Sequence, residues 1–90
     1  MYDIIPTQQF KRDVHKLKER GYDISLATEV ISLLAAGIEL PQKNKDHKLK
    51  GEYKNCRECH IAPDWLLIYQ ISNKSLILYL MRTGTHSDLF

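Results

Sequence analysis

The hydrophobic pattern changes period once along this chain, and that single switch dictates a pair of helices followed by a set of strands. Up to Leu34 the apolar residues return at spacings of three and four, whereas beyond Lys48 they alternate. Phe10, Val14 and Leu17 form one helical stripe, with Lys11, Arg12, Lys16, Lys18 and Glu19 on the solvated sides. Thr7 is placed to cap the start of that helix and Gly21 to end it. Asp23 caps a second helix whose broader apolar face is Ile24, Ala27, Val30, Ile31 and Leu34, closing at Gly37. Only Gly21 and Tyr22 lie between the two, so they should run antiparallel. Tyr2 to Ile5 is a short β-prone start that Pro6 ends, and His15, beside the first stripe, reads as an ordinary surface histidine.

The second half has β-type segments near Lys48–Leu49, Cys56–Ile61, Trp65–Ile71 and Leu76–Arg82, joined by Ala62-Pro63-Asp64 and Ser72-Asn73-Lys74-Ser75. If Ile61 pairs with Trp65 and Ser72 with Ser75, one face collects Cys59, Ile61, Trp65, Leu67, Tyr69, Ile71, Leu76, Leu78 and Leu80. The helices should pack there. The opposite face carries Cys56, Glu58, His60, Leu66, Ile68, Gln70, Ile77, Tyr79 and Met81, a mixed surface able to receive something flat and polar. Arg82 counts onto the helix side, so its use beside His60 requires a twist or a bulge at the strand end. The expected architecture is α+β, a small antiparallel β-sheet of about four strands packed against an N-terminal antiparallel pair of α-helices. Ninety residues suit one such domain, residues 1–90.

Composition narrows the function classes. The apolar runs, Trp65 to Tyr69 among them, are too short to cross a bilayer, and the N-terminus lacks a basic start followed by a long apolar stretch, so a cytoplasmic location is expected. The net charge is only +2, but residues 42–57 hold six cations, Lys43, Lys45, Lys48, Lys50, Lys54 and Arg57, against two anions, Asp46 and Glu52. Such a segment is either a solvated basic loop or the electrostatic footprint of a nucleic-acid site. Cys56-Arg57-Glu58-Cys59-His60 matches the spacing of haem attachment and resembles half a zinc site. On a strand, however, an odd spacing sends the two thiols to opposite faces, so neither haem nor metal is expected. A disulfide is disfavoured in a reducing compartment.

Three of the four histidines stand at the ends of apolar runs: His47 after Asp46, His60 before the Pro63-Asp64 turn, and His86 in the tail Arg82-Thr83-Gly84-Thr85-His86-Ser87-Asp88-Leu89-Phe90. Imidazole titrates near about 6.5 and can give or take a proton at neutral pH, while guanidinium stays charged and offers phosphate a planar fork. Breaking RNA without metal needs a base for the 2′-hydroxyl, an acid for the departing 5′-oxygen and a cation for the phosphate. His47, His60, Asp64, Arg82 and His86 supply that set.

Three segments, Asp46-His47-Lys48-Leu49-Lys50-Gly51, Cys59-His60-Ile61-Ala62-Pro63-Asp64-Trp65-Leu66-Leu67-Ile68-Tyr69 and Arg82 to Phe90, resemble in order the YafQ branch of the RelE/ParE toxin superfamily. The resemblance covers residues 46–90 and implies the RelE-like fold. It also implies a toxin of a bacterial type II toxin–antitoxin system, an endoribonuclease that cleaves messenger RNA in the ribosomal A site and is silenced by a cognate antitoxin. By motif position it assigns catalysis to His47, His60, Asp64, Arg82 and His86, and substrate contacts to Trp65 and Phe90. Ribosome and mRNA contacts fall to basic surface, here Lys43, Lys45, Lys48, Lys50 and Lys54, and no cofactor is implied. Two other readings remain open on the residues: a non-enzymatic ParE-type gyrase inhibitor on the same fold, and a plain nucleic-acid-binding module.

Overall fold

A computed structural model describes residues 1–90. Strand β1 (Asp3–Pro6) leads into helix α1 (Gln8–Glu19), and helix α2 (Ile24–Ala35) follows a short turn. The caps form as the residue types require: the Thr7 hydroxyl accepts from Phe10 N at 3.0 Å, and the Asp23 carboxylate accepts from Ser25 N at 3.1 Å. Gly21, with φ at +87°, makes the turn that a side chain would strain. After a 3₁₀ turn at Gln42–Asn44 come β2 (His47–Lys48), a second 3₁₀ turn at Gly51–Tyr53, then β3 (Arg57–Ala62), β4 (Trp65–Ser72), β5 (Ile77–Gly84) and the one-turn helix α3 (His86–Leu89).

The sheet has five strands in the order β1-β5-β4-β3-β2, rather than about four, because the lead-in strand joins it beside β5. That pair is parallel, from Asp3 opposite Ile77 to Pro6 opposite Leu80, and every other pair is antiparallel. Phe10, Val30, Leu34 and Leu40 pack on Cys59, Leu67, Tyr69, Leu78 and Leu80, so the helices cover the face that alternation marked as apolar. A neighbouring cluster joins Leu17 and Ala27 to Trp65. No helix is long and apolar enough to cross a membrane.

The two hairpins differ from the simple count in ways that matter. At the first, Ala62 rather than Ile61 opposes Trp65, because the β3–β4 register slips between His60 and Ala62. At the second, Ser72 opposes Ile77, so Leu76 lies in the turn at φ +54° and is 53% exposed instead of lining the core. That shift is by two residues and leaves the faces unchanged. The third difference is a slip within β4–β5: Tyr69 opposes Leu80, but Ile68 opposes Arg82, leaving Met81 extra on β5. This bulge turns Arg82 to the face of Ile68 and sends Thr83 to the face of Leu67.

The face away from α1 and α2 is not an open mixed surface. Leu66 and Ile68 are fully buried there, with Cys56 and Leu89, because the segment through Leu49 and Tyr53 and the C-terminal helix fold across it. What stays accessible is a cleft at the edge of that cover. Replacing Leu67 with alanine should cost about 2–5 kcal/mol in urea unfolding, whereas Leu76→Ala should stay within about 0.5 kcal/mol. Equal losses at the two positions would contradict this division of core and turn.

Candidate active site

Cross-strand register aligns the polar residues into rows. His47 of β2 opposes Glu58 of β3, Glu58 opposes Ile68 of β4, and Ile68 opposes Arg82 of β5. The adjacent row on the same face is His60, Leu66 and Gly84. The tail then turns at Gly84, whose φ of +156° suits glycine and where a Cβ would lie 2.9 Å from the Asp88 side chain. The turn leads straight into α3, which carries His86.

Helix α3 is only one turn long, too short to hold itself, and is fixed by side chains. The Thr85 hydroxyl accepts from Asp88 N while the Asp88 carboxylate accepts from Thr85 N at 2.9 Å, a reciprocal capping box. Arg20, just past the end of α1, adds a two-pronged grip on Asp88 at 2.8 and 2.9 Å. The Arg20 guanidinium, helped by the Thr85 N–H, holds the Asp88 carboxyl far below the ordinary range. Leu89 supplies the apolar anchor beneath.

So fixed, His86 meets Asp64 from the β3–β4 turn. One Asp64 oxygen accepts from His86 Nδ1 at 2.6 Å and from the His86 backbone N at 3.1 Å. Those two bonds hold the Asp64 carboxyl below its usual pKa. Because the carboxylate only accepts, Nδ1 carries a hydrogen, and in the neutral ring the lone pair falls to Nε2. His60 is set the same way, its Nδ1 facing the Pro63 carbonyl at 3.3 Å, and its ring centroid is 6.0 Å from that of His86. His47 gives Nδ1–H to the Lys45 carbonyl at 2.7 Å and turns Nε2 to Glu58 at 3.1 Å.

Glu58 was not singled out for chemistry from sequence, although the two-residue period already put it on the face of His60. It is 6% exposed, with Oε2 on His47 and Oε1 without any partner. A carboxylate oxygen of Glu58 and one ring nitrogen each from His60 and His86 lie within 4.8 Å of one another. Besides moving protons, these three could hold a divalent transition ion, a donor set unrelated to the cysteine pair. Cys56 and Cys59 are buried free thiols on opposite faces, and burial pushes Cys59 up to about 12.

The remaining candidates divide. Arg82 reaches the site face but is gripped by Asp13 of α1, which, with its hydrogen bonds, raises the guanidinium pKa. Phe90 is 64% exposed and meets Tyr53 edge-on, ring centroids 5.9 Å apart. Tyr53, in a loop with no periodic signal, was invisible to sequence reasoning. Lys43 and Lys45 flank a groove beside His60, whereas Lys48 lines another depression with Arg57 and Asn73. Lys50 and Lys54 are exposed, and none of the five lysines forms an ion pair. Trp65 is corrected: it is 3% exposed, packed edge-on to Tyr22 at 5.1 Å, and its indole N–H is donated to Thr83 at 2.9 Å. No face or donor is left for a nucleotide, so its part is to hold the sheet end.

Two imidazoles, an arginine and a terminal aromatic stand at the rim of a small α+β sheet, residue types suited to proton exchange and to contact with a phosphate. The chain belongs to the YafQ family, bacterial toxins of type II toxin–antitoxin systems, whose model matches residues 2–90. It is 38% identical over 89 residues to the mRNA interferase toxin YafQ of Escherichia coli strain K12, covering 98% of this chain and 95% of that protein. The crystal structure of a metal-bound toxin from Helicobacter pylori superposes with a TM-score of 0.93 at 43% identity over 100% of both chains. The toxin in the E. coli DinJ–YafQ complex superposes with a TM-score of 0.91 at 36% identity, over 100% of this chain and 99% of that one.

The depressed carboxyls give the tail a defined pH window. A group whose pKa is lowered by folding contributes stability above its unfolded value and loses it as pH falls through the folded one. The α3 anchor should therefore be intact at neutral and mildly acid pH and released only below the ordinary carboxyl value of 3.8. Following the Phe90 resonances by NMR should show no release between about pH 7 and 5, and Arg20→Ala should move release to higher pH. Release of the parent tail already at mildly acid pH would contradict the clamp.

Proposed function

We propose that this protein is a ribosome-dependent endoribonuclease, the toxin of its pair, that cuts messenger RNA without a metal by attack of the 2′-hydroxyl on the adjoining phosphate. The observation that carries this reading is the pair of imidazoles, His60 and His86, each with Nδ1 turned to an oxygen acceptor and each with one ring nitrogen within 4.8 Å of a Glu58 carboxylate oxygen. One imidazole takes the proton of the 2′-hydroxyl as the O2′–P bond forms. The other, entering as imidazolium with a second proton on Nε2, gives that proton to the 5′-oxygen as the P–O5′ bond breaks, and Arg82 neutralises charge gathering on the phosphate. The products are a 2′,3′-cyclic phosphate, or its opened 3′-phosphate, and a 5′-hydroxyl. Asp64 and His47 act through hydrogen bonds, the first on His86 and the second on Glu58.

The curated E. coli relative is named an mRNA interferase, and a toxin of the same family is found in complex with DinJ, which supports both the substrate class and an antitoxin partner. For this chain we assign the unpaired lysines Lys43, Lys45, Lys48, Lys50 and Lys54 to the ribosome and its RNA. An acidic or amphipathic antitoxin segment would cover the cleft, and the cytoplasm is where all these partners meet.

In primer extension on ribosome-bound message, His86→Ala should lower the cleavage rate by about 10²–10⁴, with the parent leaving 5′-hydroxyl ends. A His86→Ala protein that cleaves at the parental rate would overturn the assignment. Cleavage should persist when the purified toxin is first stripped by chelation and then added to ribosomes in buffer holding Mg²⁺ alone, because a transition ion on Glu58, His60 and His86 would occupy the lone pairs that proton transfer needs. Loss of cleavage after that stripping would overturn the metal-free mechanism.

A further inference from the structure

One charge in the first helix stands where none is expected. Asp13 falls between Phe10 and Leu17 on the buried stripe of α1 and is itself only 5% exposed. A carboxylate there is tolerated only if fully bonded. Both oxygens are: Oδ2 accepts from Arg82 Nε at 2.8 Å and from Thr83 N at 3.1 Å, and Oδ1 accepts from Arg82 Nη2 and Gln9 Nε2, each at 3.1 Å.

These bonds come from one helix and meet the strand where the bulge lies. Thr83 is tied in place from its other side, its hydroxyl donating to the Leu66 carbonyl at 2.7 Å and accepting from Trp65. The guanidinium is thus held along its Nε–Nη2 edge, and its Nη1 makes no hydrogen bond within the protein. The Tyr53 hydroxyl also interacts with the group and helps to raise its pKa. A carboxylate this close also offsets part of the arginine's charge, so the arrangement favours fixed orientation over field strength.

We propose that Asp13 is the positioning residue for Arg82 in RNA cleavage: by gripping one edge of the guanidinium it presents the other, Nη1, to the phosphate, and by holding Thr83 N it secures the bulge that brings Arg82 to the site. This rests on the reading of Arg82 as the cation that meets the phosphate. A preset guanidinium surrenders little rotational freedom when the phosphate arrives, and a loosened one is misaligned in the transition state.

The test is a double-mutant cycle under single-turnover conditions on ribosome-bound message, using Asp13→Asn, Arg82→Ala and the double variant, with His86→Ala alongside. Asp13→Asn should slow the cleavage step by about 10- to 100-fold with message binding little changed, and should subtract nothing further once Arg82 is alanine. A merely structural role would instead lower the urea midpoint and leave a deficit that persists in the Arg82→Ala background. Asp13→Glu keeps the charge but moves the carboxylate by one methylene, and should give an intermediate loss of rate. It decides between the two roles if Asp13→Asn proves unfolded by circular dichroism. Parental rates in folded Asp13→Asn or Asp13→Glu, with Arg82→Ala and His86→Ala both slow, would overturn the positioning role alone. A parental rate in His86→Ala would instead bring down the functional reading beneath it.

Discussion

One extra residue in β5 decides what this sheet can do. Were the pairing of Tyr69 with Leu80 continued without the slip, Arg82 would oppose Leu67 and point into the helices. With Met81 left over, the arginine joins the row of His47, Glu58 and Ile68, and Thr83 takes the buried place. The cost of breaking the ladder is offset by bonds that only the slipped register allows: Asp13 to Thr83 N, Thr83 to the Leu66 carbonyl, and Trp65 to Thr83. Core and site are therefore settled by the same few contacts. Trp65 serves the cleft by never entering it.

A second constraint follows from the first. The strand must end where the tail can fold back across Leu66 and Ile68, and one helical turn has little stability of its own. Arg20, Thr85 and Asp88 provide the clamp, so that the end of α1 controls where His86 stands. Asp64 then fixes the ring, and the tautomer follows from hydrogen-bond chemistry alone. One carboxylate oxygen of Glu58 and one ring nitrogen each of His60 and His86 lie within 4.8 Å of one another, so proton exchange and ion binding would compete for the same atoms.

Much of this was legible in the residues. Alternation correctly separated Leu67, Tyr69, Leu78 and Leu80 from Glu58, His60 and Ile68, and the capping residues Thr7 and Asp23 marked both helix starts. The need for a bulge near Arg82 could be stated in advance, because parity alone placed that side chain on the wrong face. Its position could not, since it depends on contacts between residues 70 apart in sequence, Asp13 and Thr83. Leu76 was lost to the core because hairpin length is ambiguous by two residues without changing parity, and Tyr53 because loops carry no period. Asp13 did leave a trace, a carboxylate inside an apolar stripe, which signals a buried partner somewhere else in the chain.

The central physical claim is that His60, His86 and Arg82 address one phosphate. It is tested most directly by nitrogen-15 NMR of the imidazole and guanidinium groups during titration with a short RNA whose scissile 2′-hydroxyl is replaced by hydrogen. Convergence on one phosphate predicts that the Nε2 signals of both histidines and the Nη signals of Arg82 shift together along a single binding curve. If the RNA perturbs only the exposed lysines between residues 43 and 54 while all three of those groups stay unmoved, the claim is contradicted.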